Sequence, residues 1–136
     1  MLYLDLGQNQ LTGTIPNDWF DVNTGSYTTN MMKLNTLYLD YNMLNGTVQD
    51  TLFTLGNSTI EQIVINDNLF TGGIPSTRDY PNYNLTTFKL QNNLFTRVDK
   101  EFCRQQSIYE GTGMLSIFSA DCDICTCNYL CTSYCS

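Results

Sequence analysis

The chain has 136 residues, room for one domain of ordinary size, and its 42% hydrophobic content is enough for a packed core. Six Lys+Arg stand against 13 Asp+Glu, a net charge of −7, so nucleic acid and anionic membrane surfaces are not expected partners: each needs a basic stripe. Histidine is absent, which removes the commonest general base and a frequent metal ligand, and no apolar run approaches the ~20 residues of a membrane span.

From the N-terminus, the stretch NQLTGTIP at Asn9 returns as NMLNGTVQ at Asn42, NLFTGGIP at Asn68 and a worn NLFTRV at Asn93. The spacings of 33, 26 and 25 residues make this a repeat protein. With the asparagines in one column, Leu4 and Leu6, Leu37 and Leu39, Ile63 and Ile65, and Phe88 and Leu90 stand five and three places before them. Met1, Leu34, Ile60 and Leu85 stand eight before, and Leu11, Leu44, Phe70 and Phe95 two after. Alternation with period two predicts a short strand with one buried face in each repeat. Gly13, Gly46 and Gly72 align four places after the asparagine, where a positive φ or a close approach suits glycine. Ile15, Val48 and Ile74 follow, and the Ile-Pro that occurs twice fits an extended segment leaving the strand. In such a coil Asn9, Asn42, Asn68 and Asn93 are expected to be buried, with their amides bonded to main-chain groups of the turn.

This pattern resembles the leucine-rich repeat family in its plant-type form, L-x-x-L-x-L-x-x-N-x-L-x-G-x-I-P, across residues 1–102. The resemblance implies an α/β-type solenoid dominated by short parallel β-strands. It also implies a curved right-handed coil, an irregular or short-helical convex side, and a concave sheet that binds partners. Three departures loosen the convex side: the insertion DVNTGSYTTNMMK in repeat one, Arg78 where Trp19 and Leu52 supply an apolar residue, and Arg97 in place of glycine.

After Phe102 the columns blur. GMLSIFSADC offers one more strand, with Leu115 and Ile117 expected in the paired apolar positions, and residues 103–136 read as a capping strand and cysteine-rich cap. All six cysteines, Cys103, Cys122, Cys125, Cys127, Cys131 and Cys135, lie here, and an even number in a short terminal segment suggests disulfides and an oxidising compartment. Six cysteines allow 15 connectivities, so the pairing stays open. FSADC followed by close cysteines resembles the C-terminal caps of secreted or receptor-like leucine-rich repeat proteins of diatoms and related algae. A competing zinc site on Cys122, Cys125 and Cys127, completed by Cys131 or Cys135, leaves two cysteines over and gives Cys103 no role. No metal and no cofactor is therefore expected.

The chain shows no signal peptide yet opens in mid-repeat, as a segment of a longer array is expected to. The expected location is extracellular or at the cell surface, with the export signal outside the segment. If the family geometry holds, Tyr3, Asp5, Tyr38, Asp40, Tyr41, Val64, Asn66, Asp67, Lys89 and Gln91 face the concave side. The face is mildly acidic, with three tyrosines towards one end, and tyrosine favours recognition surfaces. Asp5, Asp40 and Asp67 fall in three different columns, so no facing carboxylate pair of the glycosidase kind is expected, and the chain reads as non-catalytic. Sequons stand at Asn45, Asn57 and Asn84. Fifteen Asn and 26 Ser+Thr make about three expected by chance, so only their placement off the concave strands is informative. The expected function is recognition of a protein, peptide or glycan. Inhibition of a polysaccharide-degrading enzyme and a structural or adhesive role are the alternatives.

Overall fold

Each L-x-L stretch becomes a short strand, and the strands stack one per coil. The structure, a computed structural model, describes residues 2–19, 33–49, 52, 59–74, 84–99, 102 and 115–125. Strands β1 (Leu2–Asp5), β3 (Leu34–Tyr38), β5 (Gln62–Val64), β7 (Thr87–Lys89) and β9 (Ile117–Ser119) form one parallel sheet in that order. The register places Leu4, Leu37, Ile63, Phe88 and Phe118 side by side across all five strands. Parallel neighbours need a long crossover between them, and here the rest of each coil supplies it.

Strands β2 (Thr12–Gly13), β4 (Met43–Thr47), β6 (Leu69–Ile74) and β8 (Leu94–Val98) form a second parallel sheet, in the order β2-β4-β6-β8. The segment after each asparagine is therefore itself strand, and most of the irregular or short-helical convex side expected beyond it lies outside the described residues. Among the described residues, helical backbone occurs in a 3₁₀ turn at Asn17–Trp19 and at Lys33, Leu52 and Phe102. The physical reason is a second period-two pattern: Leu44 and Val48 are buried while Met43, Asn45 and Thr47 are exposed. Gly13, Gly46 and Gly72 all take positive φ, at 88°, 82° and 82°. Between coils three and four the register slips at Gly72/Gly73, where Arg97 stands in place of the expected glycine.

The core lies between the sheets. Phe88 is fully buried against Phe102 and Phe118, each with its ring centroid 5.9 Å away, and Phe70 stacks on Phe95 at 6.3 Å. Each such side chain contributes about 1.5–3 kcal/mol through burial. The last strand also departs from expectation. Leu115 is buried in the column of Leu34, Ile60 and Leu85, but Ile117 is 46% exposed and the paired inward positions belong to Phe118 and Ala120, at 3% and 2%. The inward pair thus lies three residues later than expected, and any odd shift in a period-two pattern exchanges the two faces, so phenylalanine takes the inner one. Of the six cysteines only Cys122 and Cys125 fall among the described residues, and both are disulfide-bonded there. Cys103, Cys127, Cys131 and Cys135 lie outside them, as do Arg78, Asn57 and all of the repeat-one insertion except Lys33.

Candidate functional site

A shared turn holds the outward face of the five-stranded sheet in place. In each coil the residue before the asparagine is left-handed: Gln8, Tyr41, Asp67 and Asn92 have φ of 54°, 52°, 55° and 57°. At that bend the asparagine amide reaches the preceding carbonyls, some of which also accept a backbone N–H of the coil before, as Asp40 O does from Gln8. Asn42 Nδ2 donates to Leu39 O and Asp40 O of its own coil and to Leu6 O of the coil before, at 3.1, 3.2 and 2.8 Å. Asn68 repeats this on Leu39 O at 2.8 Å, and Asn93 on Ile65 O at 3.0 Å. Each Oδ1 accepts a backbone N–H of the preceding coil: Leu11, Leu44 and Phe70. Asn9, expected to be buried with the others, is instead exposed and donates only to Leu6 O and Gly7 O of its own coil. Among the described residues no coil precedes it to close over its amide.

On this scaffold Asp5, Tyr38, Asp40, Val64 and Lys89 line an open hollow of about 660 Å³ over the sheet. Tyr3 and Tyr38 meet edge to face, with centroids 5.5 Å apart, and the Tyr38 hydroxyl donates to Gln62 Oε1 at 2.7 Å. The three tyrosines do not form one cluster. Tyr41, 56% exposed, lines a separate hollow of about 530 Å³ with Asp67 and Gln91. Asn66, expected to present its side chain, is only 6% exposed. Its Nδ2 donates to Asp67 Oδ2 at 2.6 Å, and its Oδ1 is buried with no partner. The same holds for Gln91 Oε1.

The carboxylates are arranged differently from the sequence expectation. Asp5 and Asp40 sit in different columns, yet both reach the space above Gly7. A Cβ built there would lie 2.6 Å from Asp40 Oδ1 and 3.3 Å from Asp5 Oδ1. Asp5 Oδ1 also accepts the Gly7 N–H at 3.0 Å, and its Oδ2 the Tyr3 hydroxyl at 3.2 Å. The Tyr3 phenol is held above its ordinary pKa by lost hydration, then by the Asp5 hydrogen bond and the surrounding negative charge. Column counting missed this pair because it treats columns as independent, whereas a missing side chain lets two of them converge. The signal was present in the sequence: Gly7 is the single glycine in the column of Asp40, Asn66 and Gln91.

The remaining expected positions are placed as follows. Asn45 is exposed on β4 of the second sheet, away from the hollow, and Asn84 is exposed before β7. Among the described residues no group of three or more His, Cys, Asp or Glu side chains is arranged to hold a metal, and no helix is long and apolar enough to cross a membrane.

The Leucine Rich Repeat family model matches residues 1–21. Among solved structures, a TDR receptor is similar over 87% of the chain, with a TM-score of 0.59 and 27% identity. The chain corresponds to 18% of that receptor's length. No curated protein matches the chain.

Proposed function

The chain is a leucine-rich repeat protein, and from that premise we propose that it is a non-catalytic recognition module that binds a protein or peptide through the concave face of its larger sheet. The observation that carries this reading is the hollow over that face, lined by Tyr38, Asp5, Asp40 and Lys89 on strands whose register the asparagines fix. The similar structure is a receptor, which supports the same reading. Tyrosine beside fixed charges gives contact area and directional hydrogen bonds at small entropic cost.

The module is read as extracellular, with the six cysteines bridged in a terminal cap. That Cys122 and Cys125 are each disulfide-bonded supports this, and alkylation of the unreduced chain followed by mass measurement tests it: six modified thiols would exclude the cap. Glycans at Asn45, Asn57 and Asn84 belong to the same proposal, and the exposure of Asn45 on the opposite sheet would leave the hollow bare.

Selection of phage-displayed random dodecapeptides on the immobilised chain tests the binding face. Tyr38→Ala is expected to weaken the selected peptides at least tenfold, about 1.4 kcal/mol, without lowering the thermal midpoint. Leu94→Lys, at a 57% exposed position on the second sheet, is expected to change nothing. The reverse pattern moves the site to the second sheet.

A further inference from the structure

The outward face of the second sheet is uncharged almost throughout. In a chain with 13 Asp+Glu, strands β2, β4, β6 and β8 contain no acidic residue and a single charge, Arg97. Besides Arg97 and glycine, their outward positions hold threonines, one asparagine and three large apolar side chains. Those three, Met43, Leu69 and Leu94, are 45%, 45% and 57% exposed. Apolar side chains grouped in this way on a neutral surface favour self-association in water unless something covers them.

Asn45 stands inside this patch. Met43 lies two residues before it on β4, on the same face and about 7 Å away, and Leu69 is its register partner on β6, at the ~4.8 Å spacing of paired strands. Leu94 follows one strand further on, beside Thr71. In the same column the other coils carry Thr12, Thr71 and Thr96, so the asparagine belongs to coil two only. Unlike Asn42, Asn68 and Asn93, it holds nothing together: it is exposed, and among the described residues no hydrogen bond engages its amide. Thr47, which completes the acceptor sequence Asn45-Gly46-Thr47, is exposed on the same face two residues later.

We propose that an N-linked glycan on Asn45 covers this face, with its innermost N-acetylglucosamine seated on Met43 and Leu69, and so closes the second sheet to partners. The inference rests on the extracellular reading above and adds what the sugar at this one position does; the number of sequons plays no part in it. A pyranose ring carries C–H groups on its faces and hydroxyls around its rim, so it lies against apolar side chains while its hydroxyls stay in water. It is also neutral, as the patch is. A protein partner would use the apolar side chains and leave the free acceptor amide without a role, whereas a glycan uses both and is held by a covalent bond. Recognition is then left to the larger sheet.

The full chain, secreted from a eukaryotic host behind a cleaved signal sequence, tests this. Proteolysis at Asp50 puts Asn45 and Asn57 on different peptides, and the Asn45 peptide is expected to carry sugar. Nuclear Overhauser contacts are expected between the innermost sugar and the methyl groups of Met43 and Leu69. Asn45→Gln is expected to raise the fluorescence of bound anilinonaphthalene sulfonate about threefold or more and to start concentration-dependent self-association, while the circular dichroism stays that of the parent. Asn84→Gln should do neither. Adding Leu69→Thr and Leu94→Thr to Asn45→Gln should restore the parent's behaviour. No rise with Asn45→Gln, or a rise that survives the two threonines, would overturn the proposal, since the sugar would then shield nothing on this face. Sugar on Asn57 or Asn84 with Asn45 bare would also overturn it, and would leave the extracellular reading in place. No sugar at any of the three, together with six alkylated thiols, would overturn both.

Discussion

Asn9 and Asn68 occupy the same column of two coils and hold the chain to different degrees. Asn9 is exposed, with two hydrogen bonds to its own coil. Asn68 is 6% exposed and takes four partners, of which Leu39 O and Leu44 N belong to the coil before it. The glycines show the same contrast. Gly13 and Gly46 have similar positive φ, but a Cβ at Gly13 would meet nothing within 4 Å, while one at Gly46 would lie 2.7 Å from Thr14 Cγ2. The repeat residue therefore acquires its structural value from the neighbouring coil rather than from its own turn.

If that is right, equivalent substitutions in different coils should have unequal costs, and urea unfolding measures them. The largest gap is expected in the apolar column. Phe88→Ala, at a fully buried site, should cost about 3–5 kcal/mol, and Leu4→Ala in the half-buried first coil less than half of that. Equal losses would mean that the first coil is as well packed as the fourth. Next, Asn68→Ala should cost about 1–3 kcal/mol by leaving the Leu44 N–H without its acceptor and taking one of two donors from Leu39 O, Ile65 O and Asn66 O, against under about 1 kcal/mol for Asn9→Ala. Parity here would show that the amide acts within its own turn only. A smaller separation is expected for the glycines: Gly46→Ala should exceed Gly13→Ala by about 1 kcal/mol, because both meet the backbone penalty and only one meets Thr14.

The smallest effect is electrostatic. With its pKa raised, the Tyr3 phenol stabilises the folded chain below about pH 10, and that contribution is lost as pH rises through the raised value. Asp5→Asn leaves an oxygen that can accept from Tyr3 but removes the negative charge that adds to the effect of lost hydration. It should therefore move the Tyr3 titration back towards the ordinary value, as followed by the Tyr3 Cζ carbon resonance. A midpoint that stays in place would separate the two side chains.

Much of the first sheet was legible because Leu4, Leu37, Ile63 and Phe88 alternate with polar neighbours, and period two has one structural meaning at that length. The second sheet was in the same columns, as Leu44, Gly46 and Val48, but its alternation includes a glycine and does not announce a strand. Ile117 was expected inward in place of Phe118 because SIF offers two adjacent apolar candidates for one inward position, and only the partner strand selects between them. The left-handed column was half visible: Asp67 and Asn92 are residues that tolerate such a turn, whereas Tyr41 is not. That Asp5 and Asp40 both reach the space over Gly7 depends on what Gly7 lacks, and a pattern of residues present does not display an absence.

The stacking of single strands at right angles to the direction of growth also has a mechanical consequence. Hydrogen bonds between β1, β3, β5, β7 and β9 run along the stacking axis, so tension between the two ends falls on one interface at a time rather than on all of them in shear. With repeat spacings of 33, 26 and 25 residues, each coil released would pay out roughly 80–120 Å of contour length, and the array behaves as a ratcheted extension spring with unequal teeth.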